Sequence, residues 1–544
     1  MNVALPLAEL GRTPTLRCAV LTDAVAPRRW HVQCVERLSA QQDACVVLLR
    51  VASALPGQAR TRGPFGPPRR SLMLADADWS SVQGPQYDIE AHETAAHLAE
   101  HDVDFVLDLR ENDPPEIDFD IPVHGVWRFS FPSHPSQTAP LALIHGHATV
   151  PAGLVACTPD GGVQCLVEGT YGVVPTSETR TTDRVLGAAS GFPARASRAI
   201  RLRLPPANRP YDSRSTTVGH GPLPRIRLAL TLLIRRGRKA VRDAFTESYW
   251  SVGAVKVPVE SVMDGSVTGE LIDWYPTADA DTYVADPFPL PSDSRAVYVE
   301  EFDHMTRHGR LAVMTYSEEE GWSNTRVVAD EVFHMSYPYM FEYEGETLCV
   351  PESGWNNAVS IYRAQHPRPL EKACDILTGL AAGDPTVFWW DGHWWIFYTD
   401  CLEPRDTDLY IFYSSSPWGP WQPHLRNPVK SDISSSRPAG APFVRDGRLL
   451  RPAQDDAGRY GWRMVVNEVL KLTPREFEET LVTRIGPFGS GPFPIGPHTL
   501  SVAGPYVYVD GKRSVVSLSL KARRLLRSMR SRFVGRRDSM PGGQ

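Results

Sequence analysis

The first two hundred residues alternate short apolar runs with segments of helical periodicity. Apolar runs at 16–22, 44–49 and 103–109 are typical of buried strands of a parallel sheet. The segments 29–39 and 92–101 lie between them and place apolar residues at helical spacing. Because strand and helix alternate along the chain, this pattern predicts an α/β domain.

The pattern becomes richer in strands after Val126, with one more helix predicted over 184–203, so we place the α/β domain at 14–205. A linker at 206–249 follows, rich at first in Pro, Arg, Ser and Gly. Its second half, 226–245, mixes Leu and Ile with six Arg or Lys and predicts a basic amphipathic helix. Two interpretations stay open: a helix that packs against both domains, or a contact with an anionic membrane surface.

Beyond residue 249 the chain alternates apolar and polar positions and carries 11 of its 14 Trp. One motif, an extended run, a tight turn and a second apolar run, recurs five times. Its members are spaced 51, 47, 55 and 59 residues apart at Asp286, Tyr337, Asp384, Ala439 and His498. This period predicts an all-β five-bladed β-propeller over 250–515. Two β-sandwiches are the alternative, but they give no reason for the repeat.

The amino-acid composition limits the classes of function that are expected for this protein. The chain is 42% hydrophobic and 22% charged with a net charge of -6, which is typical of a soluble globular protein and gives no reason to expect a nucleic-acid partner. Eight scattered Cys form no Cys-x-x-Cys pair, so buried free thiols in a reducing compartment are expected, and neither a metal site nor a cofactor is predicted. No signal peptide or membrane-spanning segment is evident, which predicts a cytoplasmic protein.

The last segment, 516–544, is predicted to be a basic tail. Its stretch 521–537 intersperses Leu, Met and Phe among Lys and Arg. The tail is either solvated or a peripheral contact with anionic lipid. No sequence motif for reading nucleic acid accompanies the charge.

The repeated motif also locates the candidate chemistry. In a propeller the innermost strand of each blade directs its first residues toward the central axis, so Asp286, Tyr337, Asp384 and His498 are expected to converge on one pocket. Paired carboxylates suit glycoside chemistry, in which one acts as acid and the other as base or nucleophile.

The Asp-Pro openings at 285–288 and 383–386 resemble those of the five-bladed glycosidases, such as arabinanases, invertases and levansucrases. Five segments resemble, more closely, the N-terminal domain family of the plant glucosamine inositolphosphorylceramide transferases and its bacterial relatives. They are 334–338 (HMSYP), 351–353 (PES), 419–424 (GPWQPH), 437–440 (RPAG) and 451–455 (RPAQD).

The resemblance to the glycosidases implies that Asp286 is the base or nucleophile and that Asp384 orients substrate and adjusts the pKa of the acid. Their acid is a Glu that opens the fourth blade, whereas this chain has no carboxylate at 437–440. Either Glu352 or Asp455 is then the candidate acid, and Arg437 is a candidate for binding a phosphate or carboxylate of the ligand. The predicted catalytic residues are Asp286, Asp384 and Glu352, and the predicted substrate-binding residues are His334, Tyr337, Arg437, Gln454, Asp455 and His498.

The segments 16–23, 102–109 and 125–131 resemble the formyltransferase fold. Active members carry an Asn-x-His and an Asp-Thr-Gly motif. The corresponding stretches here are 127–129 (WRF) and 159–162 (PDGG), so the resemblance implies a degenerate formyltransferase-like domain.

Three functional hypotheses follow. The first is a carbohydrate-active enzyme that hydrolyses or transfers a glycosyl group on a glycan or glycoconjugate. The second is a non-catalytic glycan-binding or scaffold subunit in cell-surface glycan biosynthesis, and the third is a sugar formyltransferase. A second carboxylate about 5 to 10 Å from Asp286 favours the enzyme.

Overall fold

The computed structural model describes residues 15–23, 27–41, 44–52, 71–110, 119–205, 223–276, 281–402, 404–518 and 520–524. These residues form an α/β domain followed by a five-bladed all-β propeller, as the periodicity predicts.

The α/β domain is built on one seven-stranded sheet with the order β3-β2-β1-β4-β5-β6-β7. The first five strands in this order are parallel, and β6 runs antiparallel to both of its neighbours. The strands are β1 (Leu16–Asp23), β2 (Ala44–Val51), β3 (Gln86–Ile89), β4 (Phe105–Asp108), β5 (Val126–Ser130), β6 (Thr149–Cys157) and β7 (Val163–Gly172).

Six helices accompany this sheet or follow it: α1 (Arg29–Ser39), α2 (Thr94–Glu100), α3 (Pro135–His145), α4 (Glu178–Ala189), α5 (Phe192–Arg201) and α6 (Leu223–Phe245). The prediction of α1 is confirmed at both ends. The single helix predicted over 184–203 is wrong. Helix α4 ends before Gly191, and a new helix, α5, begins after it with Pro193 in its first turn.

Helix α3 was not predicted from the sequence. Its side chains from Ser136 to Leu143 are all buried, so it lacks the polar face that makes a helix recognisable. Pro140 inside the helix further obscures the pattern.

The core of the α/β domain forms where β1 lies between β2 and β4. Val20 is paired with Leu48 on one side and with Leu107 on the other, and all three side chains are buried. Burying such a side chain stabilises the fold by about 1.5–3 kcal/mol. This explains why β1 reads as a continuous apolar run rather than an alternating one.

The propeller consists of five sheets. The first blade contains β10 (Thr282–Pro289), β11 (Ala296–Asp303), β12 (His308–Ser317), β13 (Gly321–Trp322) and β14 (Arg326–Ala329), and the second contains β15 (Ser336–Tyr343), β16 (Glu346–Glu352), β17 (Ala358–Arg363) and β18 (Glu371–Thr378). The third blade contains β19 (Ala382–Trp390), β20 (His393–Asp400), β21 (Asp408–Ser414), β22 (Gln422–Pro423) and β23 (Lys430–Ser431). The fourth blade contains β24 (Phe443–Arg445), β25 (Arg448–Asp455), β26 (Arg463–Leu472) and β27 (Phe477–Ile485).

The fifth blade joins the two ends of the propeller. Its order is β28-β29-β8-β9, with β8 (Thr246–Val255) and β9 (Asp273–Trp274) preceding the first blade and β28 (Leu500–Ala503) and β29 (Tyr506–Val516) following the fourth. A short helix, α7 (Val259–Met263), connects β8 to β9. This closure was not predicted, and β8 begins inside the segment that the sequence assigns to the linker.

The α/β domain contacts the third blade. Arg195 of α5 donates to Ser431 Oγ at 2.9 Å and to the carbonyl of Pro428 at 3.2 Å. Thr170 forms an isolated parallel bridge with Asp432.

All eight cysteines are free, as expected. Cys45 is exposed, however, although its apolar run suggested a buried thiol, because it lies at the start of β2 before the buried positions begin. The cytoplasmic location that the cysteines suggest stays a prediction.

Among the residues that the structure describes, no helix is both long enough and apolar enough to cross a bilayer.

Candidate functional site

The inner strands of the first three blades bend sharply at the positions that the repeat singles out. Asp286, Tyr337 and Asp384 have φ of 53°, 47° and 50°, and each lies at a shift in the register between the first two strands of its blade. A non-glycine residue in this region costs about 1–3 kcal/mol and persists only where its surroundings hold it there. The fourth blade has a positive φ at Gly440, where an added Cβ would lie 1.8 Å from the carbonyl oxygen of Leu500.

Side chains from neighbouring positions hold these bends. The backbone N–H of Tyr337 donates to Asp286 Oδ2 at 3.1 Å, and that of Asp384 donates to Glu352 Oε2 at 3.0 Å. The N–H of Gly440 donates to the Tyr337 hydroxyl at 2.8 Å. The polar groups around the axis therefore fix the backbone as well as forming the pocket.

Asp286 lies beside a buried histidine, which bridges it to a second aspartate. His498 places Nε2 at 3.5 Å from Asp286 Oδ1, and its Nδ1 contacts Asp510. Asp286 also accepts the Thr499 hydroxyl at 2.8 Å. The His498 ring is stacked on Trp250, with 4.0 Å between the ring centroids. His498 is thus held between two carboxylates under an aromatic ring.

Burial and charge shift the acid–base behaviour of this pair. Burial raises the pKa of Asp286 to about 6, although the positive charge of His498 opposes the shift. Burial by itself lowers the pKa of His498, but the carboxylates of Asp510 and Asp286 outweigh it and raise that pKa above its usual value. The imidazolium and a largely ionised Asp286 are therefore favoured together near pH 7.

Across the pocket, Asp384 forms a bidentate pair with Arg437. Arg437 Nε donates to Asp384 Oδ2 at 2.6 Å and Nη2 donates to Oδ1 at 3.1 Å. Arg437 Nη1 donates to Asp406 at 2.7 Å, and Nη2 reaches Glu352 at 3.2 Å. Gln454 Nε2 donates to Asp384 Oδ2 at 2.6 Å. One buried guanidinium thus serves three carboxylates.

The carboxylates here outnumber the cations. Burial raises the pKa of Asp384 to about 7, against the opposing charge of Arg437. Burial also raises the pKa of Asp456 to about 7, and the nearby carboxylate of Asp406 adds to this effect. A pocket in which several carboxyls titrate near neutral pH has the property that acid–base catalysis requires.

Glu300 is a further carboxyl of the pocket. It is opposite Ala285, the residue before Asp286, just as Glu352 is opposite Ser336, the residue before Tyr337. Burial and then the charges of Asp286 and other pocket carboxylates raise the pKa of Glu300 well above its usual value. Glu300 therefore keeps its proton to a higher pH than an ordinary glutamate does.

His334 lies beside Glu300, with 3.5 Å between its Nε2 and Glu300 Oε1. Its Nδ1 accepts the N–H of Gly309 at 2.9 Å, which assigns the ring proton to Nε2 in the neutral form. Burial lowers the pKa of His334 to about 4, so the ring is neutral at pH 7. His334 accordingly offers a neutral N–H toward Glu300.

The structure brings together most, but not all, of the predicted site residues. Asp286, Asp384, Glu352, Arg437, Gln454 and His498 line one central cluster, with His334 at its edge beside Glu300. Tyr337 is fully buried, and its hydroxyl contacts Thr386 and Gly440. Asp455 lies apart from Asp286, because it alternates with Gln454 on β25 and pairs with Arg463 at 2.6 Å.

Four acidic residues of the cluster were missed by the sequence analysis: Glu300, Asp406, Asp456 and Asp510. The repeat was aligned on first strands only, and these residues lie on later strands or loops. Glu300 on β11 and Glu352 on β16 occupy equivalent positions in their blades, and this equivalence was the available sequence signal for Glu300.

Asp510 does not meet the expected distance between paired catalytic carboxylates. Its ligand oxygen and that of Asp286 lie within 4.8 Å of each other, with His498 between them. This is closer than the carboxylate separations of glycosidases, about 5 to 10 Å. Asp510 is also fully buried and accepts the N–H groups of His498 and Thr499. Its geometry suits a residue that orients the histidine.

Two groups among the described residues have ligand atoms close enough to share a metal ion: His97, Glu100 and His101 on α2, and Asp286, His498 and Asp510 in the pocket. In the pocket group, the carboxylate oxygens of Asp286 and Asp510 already accept hydrogen bonds from the Thr499 hydroxyl and from backbone N–H groups. This donor set fits an ion-paired histidine better than a metal site.

The α/β domain has a cavity of its own, of about 270 Å³, at the carboxyl ends of β4 and β5. Asp108 lies in it and accepts Arg110 Nε at 2.8 Å and Arg128 Nε at 3.1 Å. Trp30 from α1 closes one side. Asp160 lies in the exposed turn between β6 and β7, where it accepts the N–H of Gly162, so it does not line this cavity.

Comparison with known proteins identifies relatives of the propeller. Residues 273–485 match the family model of glucosamine inositolphosphorylceramide transferase 1, N-terminal. A glucosamine inositolphosphorylceramide transferase 1 of Oryza sativa subsp. japonica is 34% identical over 208 residues, which are 37% of this chain and 28% of that protein. The Arabidopsis thaliana protein of the same name is 30% identical over 207 residues, 37% of this chain and 27% of that protein.

These matches confirm the resemblance that the five short segments indicate. The chain spans less than a third of the length of the curated relatives it matches.

Solved structures to which this chain is similar include a family 117 glycoside hydrolase from Zobellia galactanivorans, at 12% identity and a TM-score of 0.33, covering 49% of this chain and 91% of that one. A β-1,2-mannobiose phosphorylase from Listeria innocua, at 9% identity, has a TM-score of 0.33 and covers 51% and 99%.

Proposed function

We propose that the propeller binds the carbohydrate part of a glycoconjugate in its central pocket and hydrolyses or transfers a glycosyl group there. The observation that supports this proposal most strongly is a pair of buried carboxyls on neighbouring strands, Asp286 on β10 and Glu300 on β11, with Glu300 opposite the residue before Asp286. Burial raises the pKa of Asp286 to about 6, and burial and nearby carboxylates raise that of Glu300 well above its usual value. Raised pKa values of this kind suit carboxyls that exchange protons with a substrate.

In this mechanism Asp286 acts as base or nucleophile and Glu300 protonates the leaving oxygen. Asp384 is fixed by Arg437 and Gln454, so it orients substrate hydroxyls rather than exchanging protons with them. His498, which Asp510 holds in place, stabilises the ionised form of Asp286. Glu300 takes the acid role for which Glu352 and Asp455 were the sequence candidates.

Unused acceptors in the pocket suit a polyhydroxylated ligand. Within the described part of the chain, the buried Gln454 Oε1 and Asp456 Oδ2 have no hydrogen-bond partner. Leaving buried acceptors unsatisfied costs about 1–3 kcal/mol each, which sugar hydroxyls would recover on binding.

The curated relatives are named for transfer to inositolphosphorylceramide, and a phosphorylated glycolipid headgroup is accordingly our first candidate for the glycoconjugate. The non-catalytic alternative, a glycan-binding or scaffold subunit, is favoured by one observation. Arg437 at the opening of the fourth blade, where glycosidases carry their acid, is saturated by carboxylates.

For the α/β domain we retain the formyltransferase-like assignment as a proposal. The cavity at the ends of its parallel strands supports a ligand-binding role. Trp127 and Phe129 stand where active members have the Asn and His side chains, so a degenerate domain is expected.

The test is glycan-array binding together with sugar release or transfer, for wild type, Asp286→Asn and Glu300→Gln. The enzyme proposal expects turnover by wild type only, with binding retained in both variants. If all three bind equally and none turns over any glycan, the propeller is a recognition module. A matched control is Asp455→Asn, which removes a carboxyl outside the cluster and should leave turnover unchanged.

A further inference from the structure

Helix α6, between the two domains, uses only a narrow face to contact the protein. Leu228 is buried in the core of the α/β domain, and Leu232 packs against the same core. Arg236 Nε donates to the carbonyl of Thr176 at 2.9 Å, which fixes the same part of the helix. The attachment therefore involves one side of the helix.

The apolar side chains on the remaining surface of α6 face solvent. Successive residues of a helix are about 100° apart, so positions 226, 230, 233, 234, 241 and 245 share one side, which is opposite Leu228 and Leu232. These residues are between 48% and 68% exposed: Ile226, Leu230, Leu233, Ile234, Val241 and Phe245. A helix of a soluble protein normally turns such a stripe toward its core. We call these six residues the apolar stripe.

Basic residues border the apolar stripe on both sides. Arg227 and Arg238 lie along one edge, and Arg225 lies along the other. The whole helix carries seven Lys or Arg and one acidic residue, Asp243. An apolar stripe edged by cations is the arrangement that lies in the interface of an anionic bilayer.

The basic tail starts beside the C-terminal end of this helix. The N–H of Ser517 donates to the carbonyl of Phe245 at 3.0 Å, and Lys521 forms an ion pair with Glu247 at 3.6 Å. Val516 and Leu518 are also exposed near this end of the helix. The sequence 521–537 adds eight Lys or Arg and no acidic residue. The fold thus joins the two basic segments that are 270 residues apart in the chain.

This surface also lies at the pocket end of the propeller. Strands β8 and β29 are paired from Val255 and Val507 to Thr246 and Val516, and pass Asp510 on the way. Asp510 contacts His498 in the pocket, so the strands continue from the pocket toward α6.

We infer that the apolar stripe of α6, its arginines and the described start of the basic tail, 516–518 and 520–524, form one docking surface for an anionic lipid bilayer. The charge of the surface is complementary to anionic headgroups, and the stripe supplies the apolar contact that enters the interface. The docked protein holds the pocket end of its propeller toward the headgroups. Binding to lipid does not depend on the proposed catalytic activity.

The experiment is flotation of the full chain with vesicles of phosphatidylcholine, with and without phosphatidylserine. Wild type is expected to float with the phosphatidylserine vesicles and to remain behind with neutral ones. Leu233→Glu/Ile234→Glu should weaken binding by more than about tenfold, because it removes apolar contact and adds two negative charges. Arg238→Gln should weaken binding by about fivefold.

The matched control is Val332→Glu/Val444→Glu, which makes the same charge change at two exposed valines of the propeller and should float like wild type. Three results overturn the inference: no flotation of wild type, equal flotation of the stripe variant, or loss of binding in the control as well. If size-exclusion chromatography shows a wild-type dimer that the stripe variant abolishes, without flotation, a second copy of the chain covers the stripe instead.

Discussion

The propeller pocket and the cavity of the α/β domain both lie where strands end, yet their carboxylates are in opposite situations. In the α/β cavity, a single Asp108 is paired with two guanidinium groups, those of Arg110 and Arg128. In the propeller, Arg437 alone serves three carboxylates.

The two carboxyls differ in the charges around them and hardly in exposure. Asp108 and Asp286 are 6% and 5% exposed. Burial raises the pKa of Asp286 to about 6, the charge of His498 opposes the shift, and the carboxylates of Asp384 and Asp510 add to it. An excess of like charge is what distinguishes the pocket from the cavity.

The largest effect is expected from Asp286→Asn. Loss of the base should reduce turnover by about 10²- to 10⁴-fold while glycan binding is kept. Asp108→Asn, the equivalent change in the α/β cavity, should leave turnover at the wild-type level. Steady-state assays on both variants measure this contrast, and equal losses would show that the two regions do not differ as argued.

Arg437→Met should be the most destabilising single change in the pocket. It leaves Asp384, Asp406 and Glu352 without their shared cation, and breaking such a buried pair costs about 3–5 kcal/mol. In the α/β cavity, Arg128→Met leaves Asp108 with Arg110 and should cost about 1–2 kcal/mol. Tryptophan fluorescence in urea reports the propeller, because 11 of the 14 Trp lie after residue 249. A small shift of the midpoint for Arg437→Met would contradict the role given to this residue.

The stability of the propeller should fall as the pH rises from about 4 to about 7. Asp286 has a folded-state pKa of about 6 against a usual 3.8, so the folded state binds the proton more tightly than the unfolded state. Ionisation therefore costs the fold about 3 kcal/mol once the pH exceeds 6.

Urea denaturation at pH 5 and at pH 8 tests this dependence. Asp286→Asn should lose part of it and gain stability relative to wild type at pH 8. Glu479 provides the opposite case in the same propeller. Burial raises its pKa, but Arg451 and Lys430 outweigh burial and lower it to about 2, so its contribution is present above about pH 4.5 and is lost as the pH falls to 2. Wild-type stability that is unchanged between the two pH values would count against the excess of buried carboxylates.

The smallest effect is expected from His334→Gln. The neutral ring of His334 offers an N–H to Glu300 from 3.5 Å, so its loss should shift the alkaline limb of the pH–rate profile by less than about one pH unit. His308→Gln, next to the exposed Asp330, is the matched control and should not move the limb. Abolished turnover in His334→Gln would instead assign the histidine a direct catalytic role.

The sequence predicts the propeller and part of its pocket because the blade repeat carries both. Asp286, Asp384 and His498 converge as their spacing implies. The repeat could be recognised only along first strands, where an Asp-Pro pair marks two of the five positions. The register between β10 and β11, which brings Glu300 to Asp286, is a relation between strands and has no local signature.

Other features escaped prediction for a different physical reason. Helix α3 is buried on all sides, and strand β8 pairs with β29, which comes much later in the chain. The exposed stripe of α6 was recognised as amphipathic, but a sequence pattern does not tell which side of a helix faces the protein.

The pairing of β8 with β29 determines when the propeller can finish folding during synthesis. Thr246 must wait for Val516, 270 residues later, before the ring of blades can close. At about 5–20 residues per second, the ribosome needs on the order of tens of seconds to supply that partner. The α/β domain can complete its sheet during this interval, whereas β8 remains an unpaired edge. Nascent chains are therefore most exposed to misassembly, and most in need of chaperones, just before the last strand emerges.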